Sequence, residues 1–289
     1  MAVLRPGHSA SNINTRLACC CLSFLLLTLA LMAPRGYLGF TELSKRGLDI
    51  YILIDTSTSM LAADIAPDRL TAGKRVVSAL LDTLQGDRIG FIPFSSTAYI
   101  QMPLTDDYQL ARMYLDVIDT NMISGGGTNI AHALALAKDS FERTSSADKV
   151  IIIISDGEEH DAASVDIVKA INDASLHIYT VGTGTEKGSL IPVYGKDGKT
   201  VTDYLRDDSG NPVTSRLNPA RLQQLATAGK GSYYEVRMPG ETARELSTDL
   251  ATLKRDNYAA KRVEHYRHLY QFFLAPALLL LCLAWFLPD

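Results

Sequence analysis

Residues 149–155 read Lys-Val-Ile-Ile-Ile-Ile-Ser, and this run limits the fold more than any other feature of the chain. β-Branched side chains favour extended backbone. Consecutive isoleucines leave no polar side for water, so the strand must be covered on both faces, as in a parallel sheet flanked by helices. Two more runs share this character, Leu48–Asp55 (LDIYILID) and Arg88–Ser95 (RIGFIPFS). His177–Gly182 and Gly231–Val236 predict further strands, and Ala98–Leu104 is expected to pair beside the Arg88 run.

Helical patterns separate these strands. Pro67 opens one helix, in which Leu70, Gly73, Val77, Leu80 and Leu84 share a face, and Gly86 stands where a left-handed cap is expected. Two helical patterns follow Leu104, and the second carries the stripe Ile130, Ala133, Leu134, Ala137 and Phe141. Another turns Val165, Val168 and Ile171 inward. The alternation predicts an α/β class, a doubly wound and mostly parallel sheet with helices on both faces. It is interrupted between Gly182 and Pro219, where two turn signals, Gly195–Gly198 and Asp208–Pro212, predict a β-hairpin or meander inserted at about residues 183–218.

Both ends of the chain are apolar. Leu17–Ala33 and Leu269–Leu287 hold no charged residue, and each approaches the roughly 20 residues that cross a hydrocarbon core. Tyr270 and Trp285 suit the interfacial belts. A cleaved signal peptide is the alternative for the first run, but no small-x-small site follows it and Pro34 stands where a mature terminus would begin. The expected organisation is a tail (1–16), a membrane helix (17–33), an α/β domain (47–240), a helical connector (241–268) and a second membrane helix (269–287). Arg5 and Arg16 behind the first run place the domain on the extracytoplasmic side of a cell (inner) membrane. Arg35, Lys45, Arg46, Lys261, Arg262 and Arg267, on the domain side, pull the other way.

Composition excludes some chemistry. A net charge of −4 gives no reason to expect nucleic acid, which would need a basic face. Cys19, Cys20, Cys21 and Cys282 all fall within the apolar runs, so the polar body can build neither a disulfide framework nor a thiolate metal site.

The residues that could carry chemistry stand where predicted strands end. The first strand runs into Asp55-Thr56-Ser57-Thr58-Ser59, and the isoleucine strand into Ser155-Asp156-Gly157-Glu158-Glu159. A glycine-rich loop, Ser124 to Gly127, precedes Thr128. Singly, such residues are usually caps or turns. Together they bring acid and hydroxyl oxygens to one rim of one sheet, where doubly wound folds bind ligands. Oxygens without His or Cys suit a hard cation, Mg²⁺ first and Mn²⁺ or Ca²⁺ next, rather than zinc. His160 reads as a surface residue.

The strand-borne D-x-S-x-S, the threonine after a glycine-rich loop and the apolar strand ending in Asp-Gly resemble the metal-ion-dependent adhesion site (MIDAS) of von Willebrand factor A (VWA) domains, which have a Rossmann-like fold. The resemblance covers about residues 47–240. It implies Ser57, Ser59 and Thr128 as direct ligands, with Asp55 and Asp156 binding through water or directly. GLDIYILIDTSTSMLAADIAPDRLTAGK, GDRIGFIPFSSTAYIQMPLTDD and the Ser-Leu-Ile-Pro insert resemble the BatA/BatB-type bacterial membrane proteins, associated with MoxR-type AAA+ ATPases and stress tolerance. Many of those have two early spans, where this chain shows one.

The resemblance implies a membrane-anchored, metal-dependent protein-binding module rather than an enzyme. Its expected partners are a protein offering a carboxylate to the metal, other VWA or Bat-type membrane proteins, a MoxR-type ATPase and the lipid bilayer. Two alternatives compete. An adhesin would show a stalk, repeats or a cysteine framework. An Asp-nucleophile phosphatase would carry a second carboxylate two residues after the first, where Ser57 stands, and no nucleophile beside a base is visible.

Overall fold

Most of the apolar run that begins at Leu17 folds within helix α1 (Ala10–Leu31), and strand β1 (Arg35–Gly47) follows it. The computed structural model describes residues 10–123, 127–141, 147–159, 163–171, 173–195 and 200–286. The chain divides into two units, Lys45–Ala259 and a second made of Met1–Ser44 with Ala260–Asp289.

The larger unit is the α/β domain. Strands β2 (Asp49–Asp55), β3 (Arg88–Phe94), β4 (Met102–Thr105), β5 (Lys149–Ser155), β6 (Leu176–Gly182) and, after the insert, β11 (Tyr233–Glu235) form one six-stranded sheet in the order β11-β6-β5-β2-β3-β4. All pairings are parallel except β3–β4. The covering helices are α2 (Arg69–Leu81), α3 (Tyr108–Val117), α4 (Ile130–Ser140), α5 (Ala163–Ala170), α6 (Pro219–Ala228) and α7 (Pro239–Leu250). A 3-10 turn, Thr58–Leu61, leads out of β2.

Side chains alternate across a strand, so β2 feeds two cores. Ile50, Ile52 and Ile54 join Val76, Val77 and Leu80 of α2, Leu115 of α3 and Leu246 of α7. Tyr51 and Leu53 join Leu134 of α4, Val168 of α5 and Leu225 of α6. That division puts α2, α3 and α7 on one face and α4, α5 and α6 on the other, and it explains why every residue of β2 is buried. At the start of the sheet, Arg88 forks onto the buried Asp49 at 2.7 and 2.8 Å.

Several expectations are corrected. Helix α2 is capped by Asp68, which accepts from Thr71, and it ends at Leu81; Gly86 is left-handed but lies beyond the helix. The strand expected at Ala98–Leu104 begins at Met102, and Ala98 makes a single bridge to Phe94. The insert holds β7 (Ser189–Leu190), β8 (Pro192–Tyr194), β9 (Val201–Tyr204) and β10 (Thr214–Ser215), paired as two small antiparallel sheets, β7–β10 and β8–β9. Residues 196–199 of its first turn signal lie outside the described residues. The connector expected to be helical over 241–268 is helix only to Leu250. Its later part is strand β12 (Asp256–His268), which pairs with β1.

In the smaller unit α1 packs on α8 (Tyr270–Phe286), and Ser23 Oγ donates to the Ala277 carbonyl at 2.8 Å. By length and composition the stretch Asn14–Leu31 can cross a membrane, whereas α8 is a shorter apolar helix. Met32 and Ala33 lie past the end of α1, and Leu287 lies outside the described residues.

Candidate metal centre

The chain runs from β2 through α2 to β3 on one side, and later places β5 on the other side of β2. The crevice at the carboxyl ends of β2 and β5 is therefore the topological switch point of the sheet, the usual place for a ligand in such folds. Asp55 ends β2 and Asp156 follows β5, and both are fully buried.

Each carboxylate is held by local geometry. Asp55 Oδ1 accepts the Ser57 amide at 2.9 Å, and its Oδ2 accepts Ser155 Oγ at 2.6 Å across the parallel pair. Ser155 Oγ in turn accepts the Gly157 amide. Burial first, and then the charge of Asp156, push Asp55 up to about 7. Two buried carboxylates facing one crevice resist joint ionisation unless a cation lies between them.

The hydroxyls are not used as caps. Ser57 stands at the N-cap of the 3-10 turn but makes no side-chain capping bond; its Oγ pairs with Ser59 Oγ at 2.9 Å. Both serines are nearly buried. Thr56 is fastened to the end of β3, its amide and hydroxyl both donating to the Phe94 carbonyl.

The loop of Thr128 is tied to the same place. Ser95, next after Phe94, donates to the Gly127 carbonyl at 3.0 Å and accepts the Asn129 amide at 2.7 Å. Thr128 is thus bracketed by bonds to the strand end beside β2, and it is half-buried. Gly127 takes a φ of 100°, which frees the chain to turn there as the glycine-rich run suggests. Ser124 to Gly126 and His160 lie outside the described residues.

Sequence reasoning missed Arg69. Its side chain is fully buried and joins three residues, two of them from distant segments. Nη1 donates to Asp156 Oδ2 at 2.8 Å and to Ser215 Oγ. Nε and Nη2 fork onto Asp64 at 2.9 Å each, and Nη2 also donates to the Ser215 carbonyl at 3.0 Å. Asp64 accepts the Thr185 amide and hydroxyl as well. Burial raises the Asp64 carboxyl, but the bonds from Arg69 and Thr185 outweigh it and hold the group below the usual carboxylate range. One guanidinium therefore connects the start of α2, the end of β5 and strand β10 of the insert. The remaining oxygen of Asp156, Oδ1, accepts the Glu158 amide at 3.1 Å. Gly157 holds a φ of 74°, and a Cβ there would stand 2.9 Å from the Asn218 carbonyl.

These donors fit a hard divalent cation. Among the described residues no group of three or more His, Cys, Asp or Glu that could hold a metal is gathered; the oxygens at this crevice are two carboxylates and neutral hydroxyls, a donor type that suits oxygen-loving ions. Asp55, Ser57, Ser59 and Asp156 meet at one crevice, and Thr128 is fastened to its edge.

The family model of the von Willebrand factor type A domain matches residues 50–159. BatB from Bacteroides thetaiotaomicron is 37% identical and superposes over 71% of this chain and 98% of its own, with a TM-score of 0.67. An aerotolerance-related membrane protein from Bacteroides fragilis is 34% identical over 71% of this chain and 99% of its own, also with a TM-score of 0.67. Proximal thread matrix protein 1 from the mussel byssus, solved with a zinc-occupied MIDAS motif, shares the fold at 16% identity and a TM-score of 0.52, over 74% of this chain and 48% of that one. The chain spans about two thirds of the length of the curated bacterial relatives it matches.

Proposed function

The chain belongs to the BatB-type family of von Willebrand factor A domain proteins, and on that premise we propose that it is a membrane-anchored module that binds a protein partner through a divalent cation. The observation that carries this reading is the meeting of two buried carboxylates with a serine pair that caps nothing, at the switch point of the sheet.

Ser57, Ser59 and Thr128 would hold the ion, with Asp55 and Asp156 placed for direct or water-borne contact. When bound, the ion would supply a Lewis-acidic position that a partner's carboxylate can fill. The chain's own residues prepare that event. Ser155 and the Ser57 amide fix the Asp55 carboxylate, and Arg69 neutralises part of Asp156. A site so short of negative charge gains by accepting a Glu or Asp from outside. Mg²⁺ is the expected ion, with Mn²⁺ or Ca²⁺ as alternatives; the mussel protein of this fold holds zinc.

Relatives described as membrane proteins and the apolar helix through Asn14–Leu31 support anchoring in the cell membrane. We further propose, on the sequence resemblance alone, that it works beside other Bat-type proteins and a MoxR-type ATPase in envelope stress tolerance. The test is thermal melting of the full chain in detergent. Mg²⁺ or Mn²⁺ should raise Tm by mass action, by about 2.7 kcal/mol of stability at a hundredfold excess over Kd, and Asp55→Ala should abolish the rise. No metal dependence in the parent chain would refute the reading.

A further inference from the structure

Beside the metal centre lies a cleft of about 780 Å³. Thr58, which lines it, stands in sequence between the two serines of the site, so the cleft borders the same loop that carries them. One wall belongs to the insert and is apolar. Ile191 is buried there, while Val193, Tyr194 and Leu205 remain 36–40% exposed. The other wall carries Asp68 and Asp119.

That second wall is acidic in sum. Asp68, Asp116 and Asp119 all act on Lys74, so three carboxylates face this one ammonium. The Lys74 ammonium is already engaged by the carbonyls of Asp116 and Ile118 at 2.9 and 3.0 Å. Asp68 is bonded to Thr71, and Asp119 to Asn121. These are neutral donors and leave the carboxylate charges in place. The cleft thus sets unbalanced negative charge opposite exposed aromatic and aliphatic surface.

We infer that this cleft is the second half of the partner-binding surface and takes an extended protein segment bearing a Lys or Arg and an apolar side chain. The cation faces Asp68 and Asp119, and the apolar side chain lies on Val193 and Tyr194. The inference rests on the metal-dependent reading for one part only, namely that a Glu or Asp of the same segment reaches the ion. Charge complementarity selects such a partner and rejects an acidic one, while an aromatic anchor such as Tyr194 supplies much of the affinity.

Fluorescent ten-residue peptides with one central Glu, either Lys- and Leu-rich or Asp- and Ser-rich around it, would be titrated by anisotropy against the full chain in detergent with Mg²⁺. The Lys–Leu set should bind at least about tenfold more tightly. Asp119→Asn and Tyr194→Ala should each weaken that set by about tenfold while leaving the metal-dependent rise in Tm intact. Equal binding of both sets, no binding of either, or unchanged affinity in both variants would overturn the cleft assignment. Preference for the Lys–Leu set that survives chelator would uphold the cleft and remove the metal from recognition, so the two readings fail separately.

Discussion

Replacing Arg69 by Met tests the physical account of the site most directly. The side chain of Arg69 is 0% exposed, as is that of Asp156, and that of Asp64 is 7% exposed. Methionine keeps the length and much of the packing but removes every charged bond, leaving two carboxylates in a weakly polar interior. Breaking a buried pair by deleting one partner costs roughly 3–5 kcal/mol. For a domain of this size each kcal/mol moves Tm by about 2–4 °C, so the loss should be roughly 6–20 °C. The measurement is melting of the full chain in chelator, which removes any contribution from metal. The pH dependence has a defined sign. Asp64 is depressed in the folded state, so its stabilisation is present above the unfolded value and is lost as pH falls through the folded one. The gap between parent and variant should therefore be widest at neutral pH and narrow below about pH 4. Asp64→Asn in the Arg69→Met background should cost less than it does alone. A variant that melts within 2 °C of the parent at pH 7, or additive effects in the double variant, would refute the account.

Asp55, raised to about 7 by burial and by Asp156, makes the metal-free chain less stable as pH rises from about 4 to 7. A cation replaces the proton, so the Tm gain from Mg²⁺ should be larger at pH 7.5 than at pH 5; an equal gain would count against Asp55 as part of the site. Gly157→Ala forces a side chain into a left-handed φ and against the Asn218 carbonyl. It should lower stability by about 1–3 kcal/mol in a urea titration. Protease added to spheroplasts should digest the α/β domain if it is extracytoplasmic, and full protection would reverse that orientation.

Much of the fold was legible because its signals are local. Isoleucine runs report strands, and three- and four-residue spacing reports α2 and α4. The candidate ligands were legible too, because Asp55, Ser57 and Ser59 are neighbours in sequence and Asp156 ends the plainest strand. The connector misled for a physical reason. Residues 256–268 carry no apolar alternation strong enough to announce a strand, and their extended form comes with pairing to β1.

What the sequence alone determined, then, was the alternation of strands and helices, the two apolar ends and the acid–hydroxyl chemistry at the strand ends, since each depends on residues within a few positions of one another. Tertiary structure alone decided which oxygens of those acids are already engaged. Ser155 reaches Asp55 from 100 residues away, and Arg69 reaches Asp156 across 87 residues and Ser215 across 146. An arginine in the first turn of a helix looks like a solvated surface residue. It becomes the counter-charge of the site only because folding removes water from around it and leaves carboxylates as its partners.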